Sequence, residues 1–73
     1  MHNKVKIFKD LYHTYFNIVN NRKSEVYTDE YGNWGCRFWE NNIWQKDEIY
    51  KGHSESYAES AAENYVEGIK NVR

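Results

Sequence analysis

From residue 24 to residue 50 this chain is written in short β-prone runs separated by residues that turn a backbone, a pattern that calls for an antiparallel meander. Residues 25–28 suit a first strand and Tyr31-Gly32-Asn33 a turn. Residues 34–40 suit a second strand and residues 43–50 a third. Asn41-Asn42 fits a two-residue hairpin loop, because Asn tolerates the positive φ that the favoured turn types need. In that register Trp39 lies opposite Trp44 and Arg37 opposite Lys46 on one face, while Trp34, Cys36 and Phe38 share the other. Gln45 and Asp47 would join that second face unless a bulge or a longer loop shifts the pairing.

The flanking segments read as helices. On a wheel of about 100° per residue, Val5, Ile7, Phe8, Leu11, Tyr12, Tyr15, Phe16, Ile18 and Val19 fall in one arc, which predicts a helix over residues 4–19. Strict alternation fails across Tyr15, Phe16, Ile18 and Val19, so a strand fits that segment less well. Asn20, Asn21, Arg22 and Lys23 form a polar stop. Residues 54–72 predict a second helix that buries Tyr57, Ala58, Ala61, Ala62, Tyr65, Val66, Ile69 and Val72. Ser56 with Glu59 fits a capping box, and Ser54 is an equally good cap. Gly68 either permits a close backbone contact or marks where the helix frays. The expected fold is a single α+β domain over residues 1–73, in αβββα order, with both helices on one face of a three-stranded antiparallel sheet.

A chain of 73 residues has room for one thin core and little for a deep catalytic cavity. Its 18% aromatic content lets a few large rings build that core. The net charge of −1 excludes the strongly basic character of general nucleic-acid binders. The distribution is uneven: residues 1–23 carry +4 and residues 24–73 carry −5. Opposite ends of this kind attract within one fold or in a head-to-tail assembly. With Cys36 as the single cysteine no internal disulfide forms. No run is apolar enough to span a membrane, the first ten residues are too polar for a signal peptide, and no glycosylation acceptor occurs. A cytoplasmic protein without membrane contact is expected.

The run Gly52-His53-Ser54-Glu55-Ser56-Tyr57-Ala58-Glu59-Ser60-Ala61-Ala62 resembles the last loop and helix of double-stranded-RNA-binding domains, with glycine, serine and alanines at the same spacings. The resemblance covers mainly residues 33–66 and implies the αβββα order. In that family lysines at the positions of Glu55, Ser56 and Glu59 grip phosphates across an RNA groove. This chain places glutamate or serine there, so the resemblance does not bring RNA binding with it.

Glu55, Glu59, Glu63 and Glu67 recur at every fourth position of the second predicted helix. Like charges at that spacing repel by roughly 0.2–0.5 kcal/mol per pair, so helix formation gives no reason for them. They read either as an ordinary solvated face or as an acidic docking surface for a basic protein. A contact with Lys4, Lys6 and Lys9 inside the fold is the third reading. Trp39, Trp44, Arg37 and Lys46 on one sheet face would form an aromatic and basic platform suited to a protein hot spot or to stacking bases, or else would simply cover the core.

His2, His13, His53 and Cys36 lack the close spacing of metal sites, and Asp29-Glu30 and Asp47-Glu48 lie without an evident pocket. No catalytic residue, cofactor or metal is therefore expected. The leading expectation is a non-catalytic module that binds a basic protein surface or a nucleic-acid-binding protein complex. Its Asn-, Tyr- and Lys-rich composition suits a phage or mobile-element inhibitor of a host nucleic-acid-handling or defence complex. Direct nucleic-acid binding through the aromatic and basic sheet face, or a structural homodimer, are the alternatives.

Overall fold

The computed structural model describes residues 8–72, and within them the chain forms four strands followed by one helix. Strands β1 (Phe8–Asn17), β2 (Arg22–Asp29), β3 (Trp34–Glu40) and β4 (Ile43–Tyr50) make an antiparallel sheet in the order β1-β2-β3-β4. Helix α1 (Glu55–Val66) lies on one face of that sheet. The expected αβββα order with a three-stranded sheet is thereby corrected to ββββα.

The correction comes from the segment read as a helix over residues 4–19. Residues 8–17 pair with β2, and two irregularities in register lie between Phe8 and Asp10 and between Leu11 and His13. Each inserted residue shifts the side-chain alternation by one. Phe8, Leu11, Tyr12, Tyr15 and Phe16 consequently reproduce the i, i+3, i+4, i+7, i+8 spacing of a helix although the backbone is extended. Lys4, Val5, Lys6 and Ile7 of that reading lie outside the described residues.

The meander between β2 and β4 follows the turn residues. Asp29 closes the β2–β3 loop, its Oδ1 accepting the backbone N–H groups of Tyr31 (2.9 Å) and Asn33 (2.8 Å) and its Oδ2 the Asn33 side-chain amide (3.1 Å). Enclosure pushes the Asp29 carboxyl up, but these donated hydrogen bonds outweigh it and hold it below its ordinary value. Asn41 and Asn42 both take positive φ, 54° and 64°, as a tight hairpin with the native twist requires.

Side chains of Ser24, Val26 and Thr28 on β2 and of Trp34, Cys36 and Phe38 on β3 point toward α1. The buried core joins Val26, Cys36 and Phe38 to Ala58, Ala62, Tyr65 and Val66 of the helix and to Val72 beyond it. Alanines at the contact let the helix backbone come close, so that the Cys36 thiol reaches the carbonyl of Ala58 at 3.2 Å. The Tyr65 ring packs on Phe38 at 4.7 Å, and its hydroxyl donates to the carbonyl of Trp39. Burying each such large side chain contributes roughly 1.5–3 kcal/mol.

The helix is shorter than the predicted 54–72. Ser54 stands at its N-cap position, but its hydroxyl meets that of Ser56 rather than a backbone N–H. At the other end Gly68, at φ 84°, takes the left-handed conformation. Its N–H donates to the carbonyl of Tyr65, and the Ile69 N–H donates to the carbonyl of Asn64. This is a Schellman closure, which terminates the helix and leaves Glu67 as its C-cap. Arg22 takes up further carbonyls at this end, donating to Tyr65 at 3.1 Å and Lys70 at 3.2 Å while pairing with Glu40 at 3.2 Å.

Burial pushes the Cys36 thiol up to about 12, against a smaller opposing influence of the Ser24 and Tyr50 hydroxyls. An unfolded thiol ionises near 9.0 while the folded one stays neutral, so stability present below pH 9 should decline above it. The expected loss is at most about 1.4 kcal/mol per pH unit, and Cys36→Ala should flatten that decline. Urea unfolding between pH 8 and about 11 checks it, with native-state alkylation of Cys36 expected only through opening. Equal alkaline slopes for the two proteins would refute the assignment.

Candidate functional site

Cross-strand partners in an antiparallel sheet point to the same side, which divides the molecule into two unlike surfaces. One is the outer side of α1 with the loops beside it. The other is the sheet face turned away from α1.

On the sheet face, Phe8, Leu11, Thr14 and Phe16 of β1 stand beside Lys23, Glu25 and Tyr27 of β2. Next come Gly35, Arg37 and Trp39 of β3, and then Trp44, Asp47 and Ile49 of β4. Trp39 pairs with Trp44, and Arg37 faces Asp47, because one residue, Gln45, is looped out between the pairs Trp39–Trp44 and Phe38–Lys46. That bulge corrects the expected register: Lys46 leaves the platform for the helix side, where its Nζ lies 3.5 Å from Glu48. It also brings Asp47 under Arg37. The pair is bidentate, with 2.9 Å separations from Nε to Oδ1 and from Nη2 to Oδ2.

The Asp47 side chain is only 1% exposed, and its Oδ1 also accepts the Trp44 indole N–H at 2.8 Å. The guanidinium stands 5.4 Å from the Phe8 ring and 5.6 Å from the Tyr27 ring, which stack on each other at 5.0 Å. The hydrogen bond to Asp47 raises the Arg37 value further, so the guanidinium stays charged. Trp39 donates its indole N–H to Glu25 at 2.8 Å and receives the Lys23 ammonium over its ring at 4.9 Å. Both Trp39 and Trp44 are half-buried rather than fully presented. Each is held in one orientation by a charge-assisted hydrogen bond.

Gly35 makes the layer possible. A Cβ there would stand 2.5 Å from the carbonyl oxygen of Glu48 and 2.9 Å from two Phe8 ring atoms. The bare backbone therefore gives Phe8 the space to lie across the strands.

On the helix side the four glutamates separate. Glu55 and Glu63 are exposed on α1, and Glu67 is exposed at its end. Glu59 is partly drawn into the fold: Tyr15 donates its hydroxyl to it at 3.4 Å, and the His13 Nδ1 lies 3.7 Å away. A hydrogen bond with Glu59 raises the Glu55 carboxyl, and the same bond lowers Glu59, with His13 and Tyr15 adding to the lowering.

Beside the helix end, the β1–β2 loop presents Ile18 and Val19 at 81% and 88% exposure. The loop is not slack. Asn17 Oδ1 accepts the backbone N–H groups of Val19 and Asn20, and the Asn20 amide donates to the carbonyl of Val66 at 2.9 Å. Ile69, placed in the helix by sequence, is released by the Gly68 closure and is 72% exposed.

The sequence points to Trp39, Trp44, Arg37 and the glutamates as candidates, and the structure adds Phe8, Tyr27 and Asp47 beside them on the sheet and the exposed Ile18, Val19 and Ile69 at the loop. Gly35 inside a strand was the available signal for a close approach. Asn17, two and three residues before the N–H groups it binds, was the signal for a closed turn. The aromatic pair and the acidic row lie on opposite sides of the molecule and form two separate surfaces.

Among the described residues no group of three or more His, Cys, Asp or Glu side chains is placed to hold a metal, and no helix is long and apolar enough to cross a membrane. Comparison with known proteins finds no matching family model, no matching curated protein and no matching solved structure.

Gly35→Ala should destabilise the domain by about 1–3 kcal/mol, because neither the Glu48 carbonyl nor the wedged Phe8 ring can yield without shifting a strand. Pairing it with Phe8→Ala separates the two obstructions. The double variant should regain part of the ring-derived loss, and strictly additive urea-unfolding energies would refute the wedge.

Proposed function

We propose that this protein is a non-catalytic binding module that acts by protein–protein contact, using the acidic side of α1 and the aliphatic loop tip beside it. The observation that carries this reading is the pair Ile18 and Val19, held almost fully in water by a turn that is hydrogen-bonded to the helix end. Two adjacent aliphatic side chains so exposed gain nothing for the isolated fold. They are ordered in advance for burial elsewhere, which lowers the entropic cost of docking.

Glu63 and Glu67 are exposed on α1 and at its end, where Asn20 of the same loop binds the Val66 carbonyl, and Glu55 extends the negative row. The matching partner is a protein with an apolar recess rimmed by basic residues. An anionic membrane or nucleic acid would be repelled by the same carboxylates. Acting by occupation of a basic surface is how an inhibitor of a nucleic-acid-handling complex works, and the module requires no catalytic group for it.

Direct nucleic-acid binding through the sheet face is less well supported. Arg37 is paired with Asp47, Lys23 lies over Trp39 beside Glu25, and Lys46 is on the other side. The two cations of that face are at least matched by its carboxylates, so little positive charge is left to neutralise phosphates.

Glu63→Lys/Glu67→Lys and Ile18→Asp/Val19→Asp should each abolish capture of the partner from a nuclease-treated lysate. Their stability should stay within about 0.5 kcal/mol of wild type, as for exposed positions. A captured protein retained equally by both variants would remove this surface from the reading.

A further inference from the structure

We propose that the sheet face turned away from α1 is a homodimer interface, closed by a second copy of this chain packing sheet to sheet. This surface is distinct from the helix side argued above, and the inference does not depend on that reading.

The first support is the layer structure. The molecule measures 34 × 29 × 18 Å, and its smallest dimension holds one sheet and one helix. No described element covers the second sheet face, yet it carries Phe8, Tyr27, Trp39 and Trp44 together with Leu11 and Phe16, which are 53% and 56% exposed. A sheet face built only for water would alternate toward small and charged residues instead.

The second support is that the polar groups on this face are already satisfied by one another. Arg37 and Trp44 both donate to Asp47, Trp39 donates to Glu25, and Lys23 lies over Trp39. Burial beneath another protein layer would strand few donors, which lowers the penalty for covering charged side chains. Across the face Lys23 and Arg37 balance Glu25 and Asp47, and Asp29 at its end is taken up by the β2–β3 loop, so two copies related by a twofold axis meet with little net repulsion.

The third support is area. Four strands about 4.8 Å apart and eight residues rising about 3.3 Å each give a face of roughly 500 Å². Two such faces bury roughly 1,000 Å², the lower bound for a specific association. The expected dimer is accordingly reversible rather than obligate. Aligned sheets at about 10 Å would interleave the aromatic side chains, and both helices would stand on the outside. Each assembly would then present two acidic helix faces pointing apart.

Sedimentation equilibrium from low micromolar to sub-millimolar chain tests this, together with indole emission over the same range. The expected result is a concentration-dependent rise toward twice the chain mass, with emission moving to shorter wavelength as it rises. Leu11→Asp/Phe16→Asp should weaken the association by more than about tenfold. Thr14→Arg, an exposed change on the same face, should do so without touching any packed side chain. Ile18→Asp/Val19→Asp, at the loop tip, should leave the dimer intact.

A single-chain mass at every concentration overturns the proposal. So does a dimer indifferent to Thr14→Arg and to Leu11→Asp/Phe16→Asp. An emission change produced by a single-stranded oligonucleotide, with the mass of the protein alone never rising, would assign the face to nucleic acid and overturn it as well.

Discussion

A single helix can cover only one side of a four-stranded sheet, and most of this structure follows from how that side is closed. Ala58 and Ala62 bring the helix backbone onto Cys36 and Val26, while Tyr65 fills the space over Phe38. The small residues and the large one are complementary: where the helix is near, nothing larger than a methyl group fits, and where it lifts away, a tyrosine ring spans the gap. Closing the helix at Gly68 then lets the chain return so that Val72 completes the core. Arg22, reaching from β2 to the carbonyls of Tyr65 and Lys70, ties this return to the sheet.

The uncovered side is organised on a different principle. Its rings are oriented by charge-assisted hydrogen bonds, indole N–H groups to Glu25 and Asp47, and by the guanidinium of Arg37 set against two aromatic rings. An aromatic layer without such bonds would be free to rotate and would lose order on the wet side of a thin domain. The bulge at Gln45 is central because it turns Asp47 to the side that holds Arg37. Were Gln45 paired in register instead of looped out, the carboxylate would point toward the core and Arg37 would face Lys46, a like-charge pair across strands.

The two surfaces give the protein an asymmetric character: carboxylates and exposed aliphatics around the helix, neutralised charge and aromatics behind the sheet. The partner contact and the self-association proposed above would therefore not compete for space. The contacts of Glu59 with Tyr15 and His13 set it apart from the exposed carboxylates of α1. The regular spacing in sequence concealed this difference, because spacing records which helix side a residue occupies but not which strand lies beneath it.

Legibility of the fold varied with how local its determinants are. The bounds of β3 and β4 and the Asn41-Asn42 hairpin were readable, since alternation and positive-φ residues act within a few positions of themselves. The buried face of α1 was readable for the same reason over residues 58–66. The first strand was not: its bulges turned a broken period of two into a period close to 3.6, and only pairing with β2 resolves that ambiguity.

Trp39, Trp44 and Arg37 could be placed together from sequence, but the partner of Arg37 was misassigned because a one-residue bulge is invisible to composition. By itself, then, the sequence determined the meander, the residues that turn it and the apolar side of the last helix, all properties of neighbouring residues. Only the tertiary structure decided that residues 8–17 are a strand, that Gly68 ends the helix, and that the aromatic and acidic features lie on opposite sides, because each of these depends on which distant segment supplies the hydrogen bonds and the packing.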